Sequence, residues 1–288
     1  MSVATGLIRA ARPRQWVKNV LVLAAPIAAG VIAQPDVLAA CAVAFGSFSL
    51  AASGVYLVND ARDVDADRAH PTKRRRPIAA GVVGVGAAYT VAVVLLAAAL
   101  GLSLVASPLL LAVIAVYEAV QLAYCLGLKH QPVLDICIVA SGFLLRGIAG
   151  GVAVGIELSQ WFLLVAAFGS LFMVSGKRYA ELRLVEGTGT EIRRSLLGYT
   201  PSYLRFVWTL SATAVVLAYS LWAFELKANG NGTWAMISVV PFTVAVLRYA
   251  VDVDGGLAGE PEDIALADRV LQLLAGAWLV SVAISVYV

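Results

Sequence analysis

Nine long apolar runs, at about 17–34, 38–58, 82–101, 106–127, 132–152, 160–175, 204–224, 233–250 and 270–287, decide what this chain can become. Crossing the roughly 30 Å hydrocarbon core of a bilayer takes about 20 mostly apolar residues in helical form. Nine such spans use most of the 288 residues, so the chain reads as one transmembrane domain, 1–288, with short loops and no soluble domain beside it. Ala, Val and Leu fill the runs without period-2 alternation, which favours helices over a membrane barrel. The expected fold is an all-α integral membrane bundle of nine transmembrane helices. Long polar loops follow the second and sixth runs, a faint repeat of the kind that duplicated four-helix units would leave. Composition agrees: 61% of residues are hydrophobic and 14% charged, whereas soluble domains carry roughly 45–50% apolar residues.

Orientation follows from the cations, because Lys and Arg are retained on the cytoplasmic side of a membrane. With the N-terminus in the cytoplasm and every even-numbered span returning there, 19 of the 21 basic residues fall in cytoplasmic segments or the adjoining helix ends. Lys227 alone falls outside, and Arg146 lies within the fifth run. The C-terminus is then outside, and the chain belongs in the inner, cytoplasmic membrane of the cell. The basic segment holding Arg9, Arg12, Arg14 and Lys18 precedes an apolar run, as in a signal peptide. No small-residue cleavage site followed by a polar mature region accompanies it, so the first run is expected to be retained. Cys41, Cys125 and Cys137 lie in apolar stretches without CxxC spacing and read as buried, inert thiols. The two histidines, His70 and His130, cannot build a metal cluster alone. Nothing points to nucleic acid as a partner, and a homo-oligomer is compatible with the pattern.

The chemistry is concentrated after the second run, in Asn59-Asp60-Ala61-Arg62-Asp63-Val64-Asp65-Ala66-Asp67. On a continuous helix Asp60, Asp63 and Asp67 share one face, and Asp65 points away. Three neighbouring carboxylates repel one another. A hard divalent cation removes that penalty, and Mg²⁺ typically binds a few carboxylates together with substrate phosphates. The bland alternative is a solvated acidic loop. Lys73, Arg74, Arg75 and Arg76 follow at once; Lys73 is the preferred phosphate contact, and the three arginines read equally as a positive-inside anchor.

The loop after the sixth run holds Lys177, Arg178, Tyr179, Glu181 and Arg183, a set suited to a second anionic group or, again, to anchoring. The segment from Asp252 to Asp268 is acidic and Gly-rich, either a cover for the site or a solvated connection. Charges within spans are costly and mark function by default. Glu118 and Arg146 lie at loosely similar depths, so a pair lining a polar cavity and a structural ion pair are both open. Asp135 is close enough to the cytoplasmic face to be solvated.

Taken together these residues resemble the UbiA superfamily of intramembrane prenyltransferases over essentially the whole chain. Residues 59–67 match that family's first motif, NDxxDxxxD, position for position. The resemblance implies nine transmembrane helices and a substrate diphosphate held through Mg²⁺ by Asn59, Asp60, Asp63 and Asp67. Typical members carry a second motif, DxxxD, after the sixth span; residues 176–202 here contain no aspartate. The stretches Arg12-Pro13-Arg14-Gln15-Trp16-Val17-Lys18-Asn19 and Ser175-Gly176-Lys177-Arg178-Tyr179-Ala180-Glu181-Leu182 look like the decaprenyl-phosphate phosphoribosyltransferase branch. That branch implies 5-phosphoribosyl diphosphate as donor, a polyprenyl phosphate lipid as acceptor, and a product feeding arabinan synthesis in the cell envelope. A phosphoribosyltransferase must hold a diphosphate, a 5-phosphate and a lipid phosphate, and extra cations in place of a second aspartate pair suit that load.

The expected site is therefore Asp60, Asp63 and Asp67 as metal ligands and catalytic groups. Lys18, Asn19, Asn59, Lys73, Arg146, Lys177, Arg178, Tyr179, Glu181 and Arg183 complete it around the substrates. One rival is a UbiA-type aromatic prenyltransferase using a polyprenyl diphosphate donor, which a second aspartate motif would favour. The other is a transporter or channel, which calls for paired charges through the depth of the bundle and broken half-helices.

Overall fold

Several of the long helices begin at a residue that supplies, or dispenses with, a partner for a free backbone N–H. In the computed structural model Pro35, Pro108 and Pro201 each open a helix at its first position, where their missing N–H costs nothing. The Ser107 hydroxyl accepts from the Leu110 amide at 3.0 Å, and the Thr200 hydroxyl from the Tyr203 amide at 3.2 Å. Asp268 does the same for the Val270 and Leu271 amides. The structure describes residues 2–188, 196, 198–228, 232–259, 264 and 267–287.

The helices are α1 (Val3–Ala10), α2 (Ala24–Ala28), α3 (Pro35–Arg62), α4 (Val64–Ala69), α5 (Val85–Ser103), α6 (Pro108–Leu126), α7 (Leu134–Val154), α8 (Gln160–Thr188), α9 (Pro201–Ala228), α10 (Thr233–Asp254) and α11 (Arg269–Tyr287). Among the described residues eight helices, α3 and α5 to α11, are long and apolar enough to cross a membrane. The first apolar run departs from expectation. Residues Pro13–Leu23 form a 3₁₀ helix, and only Ala24–Ala28 continue as α-helix. Arg12 enters it in the left-handed conformation (φ 55°). Trp16 and Asn19 then donate to the Ser53 and Ser49 hydroxyls at 3.1 and 3.0 Å, tying the segment to α3. At about 2.0 Å per residue in 3₁₀ form and 1.5 Å in α form, these 16 residues extend for about 30 Å.

Contacts divide the molecule into two units. Unit 1 comprises residues 1–129 with 145–157, and unit 2 comprises 130–144 with 158–288. Unit 1 is built around Val22, Ala44, Phe48, Ala51, Leu110, Ile114 and Tyr117, with a second cluster around Leu57, Ala61, Ile78 and Ala88. Small residues let its backbones approach closely. A Cβ on Gly150 would stand 1.8 Å from the Val22 carbonyl oxygen, and one on Gly54 would stand 3.1 Å from that of Ala92. Unit 2 packs Phe172, Tyr179, Leu204, Trp208, Tyr249 and Val253.

Candidate active site

The acidic motif lies in unit 1, where α3 ends. The continuous helix expected over 60–67 is interrupted at Asp63, which caps α3 with φ −91° and ψ 11° before α4 begins at Val64. The break is shallow, since the Asp67 amide still bonds to the Asp63 carbonyl at 2.7 Å. Asp60 and Asp67 are buried, at 2% and 3% exposure. Both reach the same nitrogen: Arg76 Nη1 lies 3.0 Å from Asp60 Oδ1 and 2.8 Å from Asp67 Oδ2. Arg12 Nη2 donates to Asp60 Oδ1 at 2.5 Å while its guanidinium lies 4.7 Å over the Tyr56 ring. Asp63 is turned to Lys129, whose Nζ contacts both carboxylate oxygens at 2.6 and 2.7 Å. Asp65 is 91% exposed and pairs with Arg68, facing away as expected. Asn59 is half-buried and its Oδ1 accepts from the Cys125 thiol at 3.8 Å.

Three cations that the sequence did not single out thus serve the motif. Arg12 entered through topology and the branch-like stretch 12–19, Lys129 through topology alone, and Arg76 read as an anchor while Lys73 was preferred. Lys73 opens a short 3₁₀ turn through Arg75, and its amide faces the His70 ring. The available signal was Pro77: it follows Arg76 and starts the buried Pro77–Ala79 stretch, which folds Arg76 back over α4.

Below the mouth, unit 1 holds a polar cluster. Asn19 is 1% exposed and accepts from Arg146 Nε at 2.7 Å; Arg146 Nη2 reaches the Tyr117 hydroxyl at 3.4 Å. The guanidinium lies 5.1 Å from the Phe48 ring centre and 5.2 Å from that of Tyr117. The Glu118–Arg146 pair does not form: Glu118 Oε1 is buried with no hydrogen-bond partner among the described residues. Lys18, one residue before Asn19, is half-buried on the 3₁₀ segment.

In unit 2 the basic segment belongs to α8. Arg178 grips Asp135 with two parallel bonds, Nε to Oδ2 at 3.0 Å and Nη2 to Oδ1 at 3.1 Å, and donates to Glu181 at 2.9 Å. Asp135 is fully buried, which corrects its expected solvation; the Arg178 fork compensates it there. Tyr179 is likewise buried, and its hydroxyl accepts from Arg205 at 2.7 Å. Lys177 is half-buried and Arg183 exposed. Of the acidic segment 252–268, Asp254 pairs with Arg205 and Asp268 with Arg248, while Glu260, Glu262 and Asp263 lie outside the described residues. Arg193 and Arg194 also lie outside them.

Among the described residues no three His, Cys, Asp or Glu side chains stand close enough to enclose a metal ion by themselves. The residues nonetheless fit Mg²⁺, which is commonly held by one or two carboxylates and completed by substrate phosphates and water. Arg76 Nη1 occupies a point from which a cation bridges Asp60 and Asp67, and the donors are the hard oxygens that ion prefers.

Eight helices long and apolar enough to span a bilayer, with buried carboxylates gathered at the end of one of them, mark an integral membrane protein with an acidic site at a helix end. The model of the UbiA prenyltransferase family matches residues 19–265, and the chain belongs to that family. A decaprenyl-phosphate phosphoribosyltransferase of Mycobacterium tuberculosis (strain CDC 1551 / Oshkosh) is 64% identical over 289 residues, covering 99% of this chain and 95% of the relative. Another, of Corynebacterium glutamicum, is 60% identical over 293 residues, covering 100% and 88%. Among solved structures, a UbiA homolog from Archaeoglobus fulgidus bound to GPP and Mg²⁺ superposes with a TM-score of 0.72 at 16% identity, covering 98% of this chain and all of that one. That likeness shows the shared fold.

Proposed function

We propose that the chain transfers 5-phosphoribose from 5-phosphoribosyl diphosphate to decaprenyl phosphate, giving decaprenylphosphoryl-5-phosphoribose and diphosphate. The observation that carries the reading is the meeting of Asp60 and Asp67 on one cation at the end of α3, with Arg12 and Lys129 beside them. High identity over nearly the full length to phosphoribosyltransferases supports the choice of substrate. So does α8, where Lys177 and Arg183 stand in a segment, 176–188, without aspartate.

Asp60, Asp63 and Asp67, assisted by Asn59, would hold Mg²⁺, with Lys129 beside Asp63. Held there, Mg²⁺ would supply Lewis-acid stabilisation of the charge developing on the leaving diphosphate. Arg12, Arg76 and Lys129 supply donors for the diphosphate oxygens the ion does not take. The ribose C1–O bond breaks with oxocarbenium character, and a lipid phosphate oxygen forms the new C1–O bond on the opposite face, inverting the centre. The nucleophile is already an anion, so no general base is needed. Within unit 1, Lys18 and Lys73 are candidates for a further substrate phosphate; within unit 2, Lys177 and Arg183 are candidates for a phosphate contact of their own. Arg146, Asn19, Tyr179, Glu181 and Arg178 position neighbouring groups.

The 1–288 chain works as one transferase domain in the inner, cytoplasmic membrane. A ninth crossing by the 3₁₀ and α2 segment, with the N-terminus and the acidic mouth in the cytoplasm and the C-terminus outside, is supported by that segment's extent of about 30 Å and by the distribution of Lys and Arg. The product serves cell-wall arabinan synthesis, and a homo-oligomer is compatible with the broad apolar surface.

Purified protein with Mg²⁺ and decaprenyl phosphate is offered 5-phosphoribosyl diphosphate, or prenyl diphosphate with 4-hydroxybenzoate, and the products are weighed by mass spectrometry. A phosphoribosylated lipid phosphate, lost on chelation and in Asp60→Asn, is expected. A prenylated aromatic overturns the substrate while leaving the family intact.

A further inference from the structure

Unit 2 carries a groove of about 420 Å³ lined by Arg205, Trp208, Leu247, Ala250, Val251 and Asp254. Its charged residues sit at element ends: Arg205 in the opening turns of α9, and Asp254 as the last residue of α10. Both are about half exposed, at 55% and 54%. Arg205 Nη2 donates to the Tyr179 hydroxyl and meets Asp254 Oδ1 at 3.0 Å. Those contacts use one nitrogen. Nε and Nη1 of Arg205, and Oδ2 of Asp254, make no hydrogen bond among the described residues. Away from the pair the groove is apolar, with Leu247 62% and Val251 63% exposed. At the α-helical rise Leu247 lies about 10 Å deeper along α10 than Asp254. Trp208 is buried beside the groove and its Nε1 has no acceptor among the described residues.

Two opposite charges held 3.0 Å apart at the end of a span, with an apolar slot running inward, match a dipolar amphiphile. A purely anionic headgroup meets the Asp254 carboxylate; a purely cationic one meets Arg205. A headgroup with both a phosphate and a primary ammonium satisfies both residues. A quaternary ammonium has no N–H for the carboxylate.

We propose that this groove binds one phosphatidylethanolamine molecule from the bilayer. Its phosphate lies on Arg205 Nε and Nη1, its ammonium on Asp254 Oδ2, and an acyl chain along Leu247 and Val251. The lipid thereby braces Arg205, whose other contact is the buried Tyr179 of the basic α8 segment.

The full-length protein, delipidated in detergent, is titrated with phosphatidylethanolamine, phosphatidylcholine and phosphatidylglycerol of matched chains, and bound lipids are counted by native mass spectrometry. One ethanolamine lipid is expected to bind about tenfold more tightly than the other two, as the gain of one charge-assisted contact implies. Asp254→Asn and Arg205→Gln each abolish that preference. Val251→Trp, which fills the slot and leaves the charged pair, lowers occupancy by all three lipids. Arg205 also holds Tyr179, so Asp254→Asn and Val251→Trp, each checked for an unchanged Tm, carry the test if Arg205→Gln fails to fold. Equal binding of the three lipids, preference for the glycerol lipid or for polyprenyl phosphate, or a lipid-free dimer broken by Val251→Trp each overturn the proposal.

Discussion

Arg178 shows how a side chain's type misleads about its task. Three cations in α8 invite a phosphate, yet Arg178 spends its fork on the buried Asp135 and its remaining nitrogen on Glu181. Removing one partner of a buried pair leaves an uncompensated charge, which costs about 3–5 kcal/mol. Arg178→Ala is therefore expected to destabilise the protein by that order, seen as a large fall in Tm in detergent. Arg178→Ala with Asp135→Asn should recover much of the loss. A single variant that keeps the wild-type Tm and loses only substrate affinity would return Arg178 to the substrate. At Asp63 the expectation is the reverse. Asp63 is 31% exposed and faces Lys129, so Asp63→Asn removes catalytic turnover and leaves Tm near wild type; full activity in that variant would remove Asp63 from the metal set.

Among the elements, the 3₁₀ segment is held by backbone proximity as much as by side chains. Gly150 of α7 lies against the Val22 carbonyl, where an added Cβ would meet backbone atoms at 1.8 and 2.8 Å. Alanine improves helix propensity by about 1 kcal/mol. Forcing apart two packed backbones costs more, at or above the roughly 3 kcal/mol end of overpacking penalties. Gly150→Ala is thus expected to lower Tm and to loosen Asn19 and Arg146; a more stable variant would mean the segment yields freely. The last helix depends on a cap. Asp268 accepts from the Val270 and Leu271 amides and from Arg248, and the Arg248 bond leads in holding its carboxyl below the ordinary 3.8. A carboxyl with a depressed pKa contributes stability above its unfolded value and loses it as pH falls through the folded one. Asp268→Ala should therefore lower Tm equally at pH 6 and pH 8, and the difference from wild type should shrink only below about pH 4. Asp268→Asn keeps the cap and should be milder.

For the whole molecule, the spans and the acidic motif were legible because both are written locally, in run length and in residue spacing. Eight helices fall on the expected runs, and Asp60 and Asp67 share a cation across the shallow break at Asp63. The first run escaped because Trp16 and Asn19 bond to serines of α3 that lie 37 and 30 positions away. Arg12, Arg76 and Lys129 escaped because their reach to the motif depends on how loops return, which no spacing encodes. Their placement has a consequence for metal dependence. All three motif carboxylates already have an internal cation, so folding does not require a divalent ion to relieve their repulsion. Chelation is expected to abolish transfer and leave Tm unchanged. Mg²⁺ added alone should raise Tm little, since Arg76 already compensates Asp60 and Asp67, which would hold the ion; Mg²⁺ with 5-phosphoribosyl diphosphate should raise it clearly, because the diphosphate would offer the Arg76 guanidinium a new partner. Unfolding followed by intrinsic fluorescence reads these three conditions against the untreated protein. A chelated protein that unfolds early would show that the arginines and Lys129 do not substitute for the metal, and that the acidic mouth is assembled by the ion.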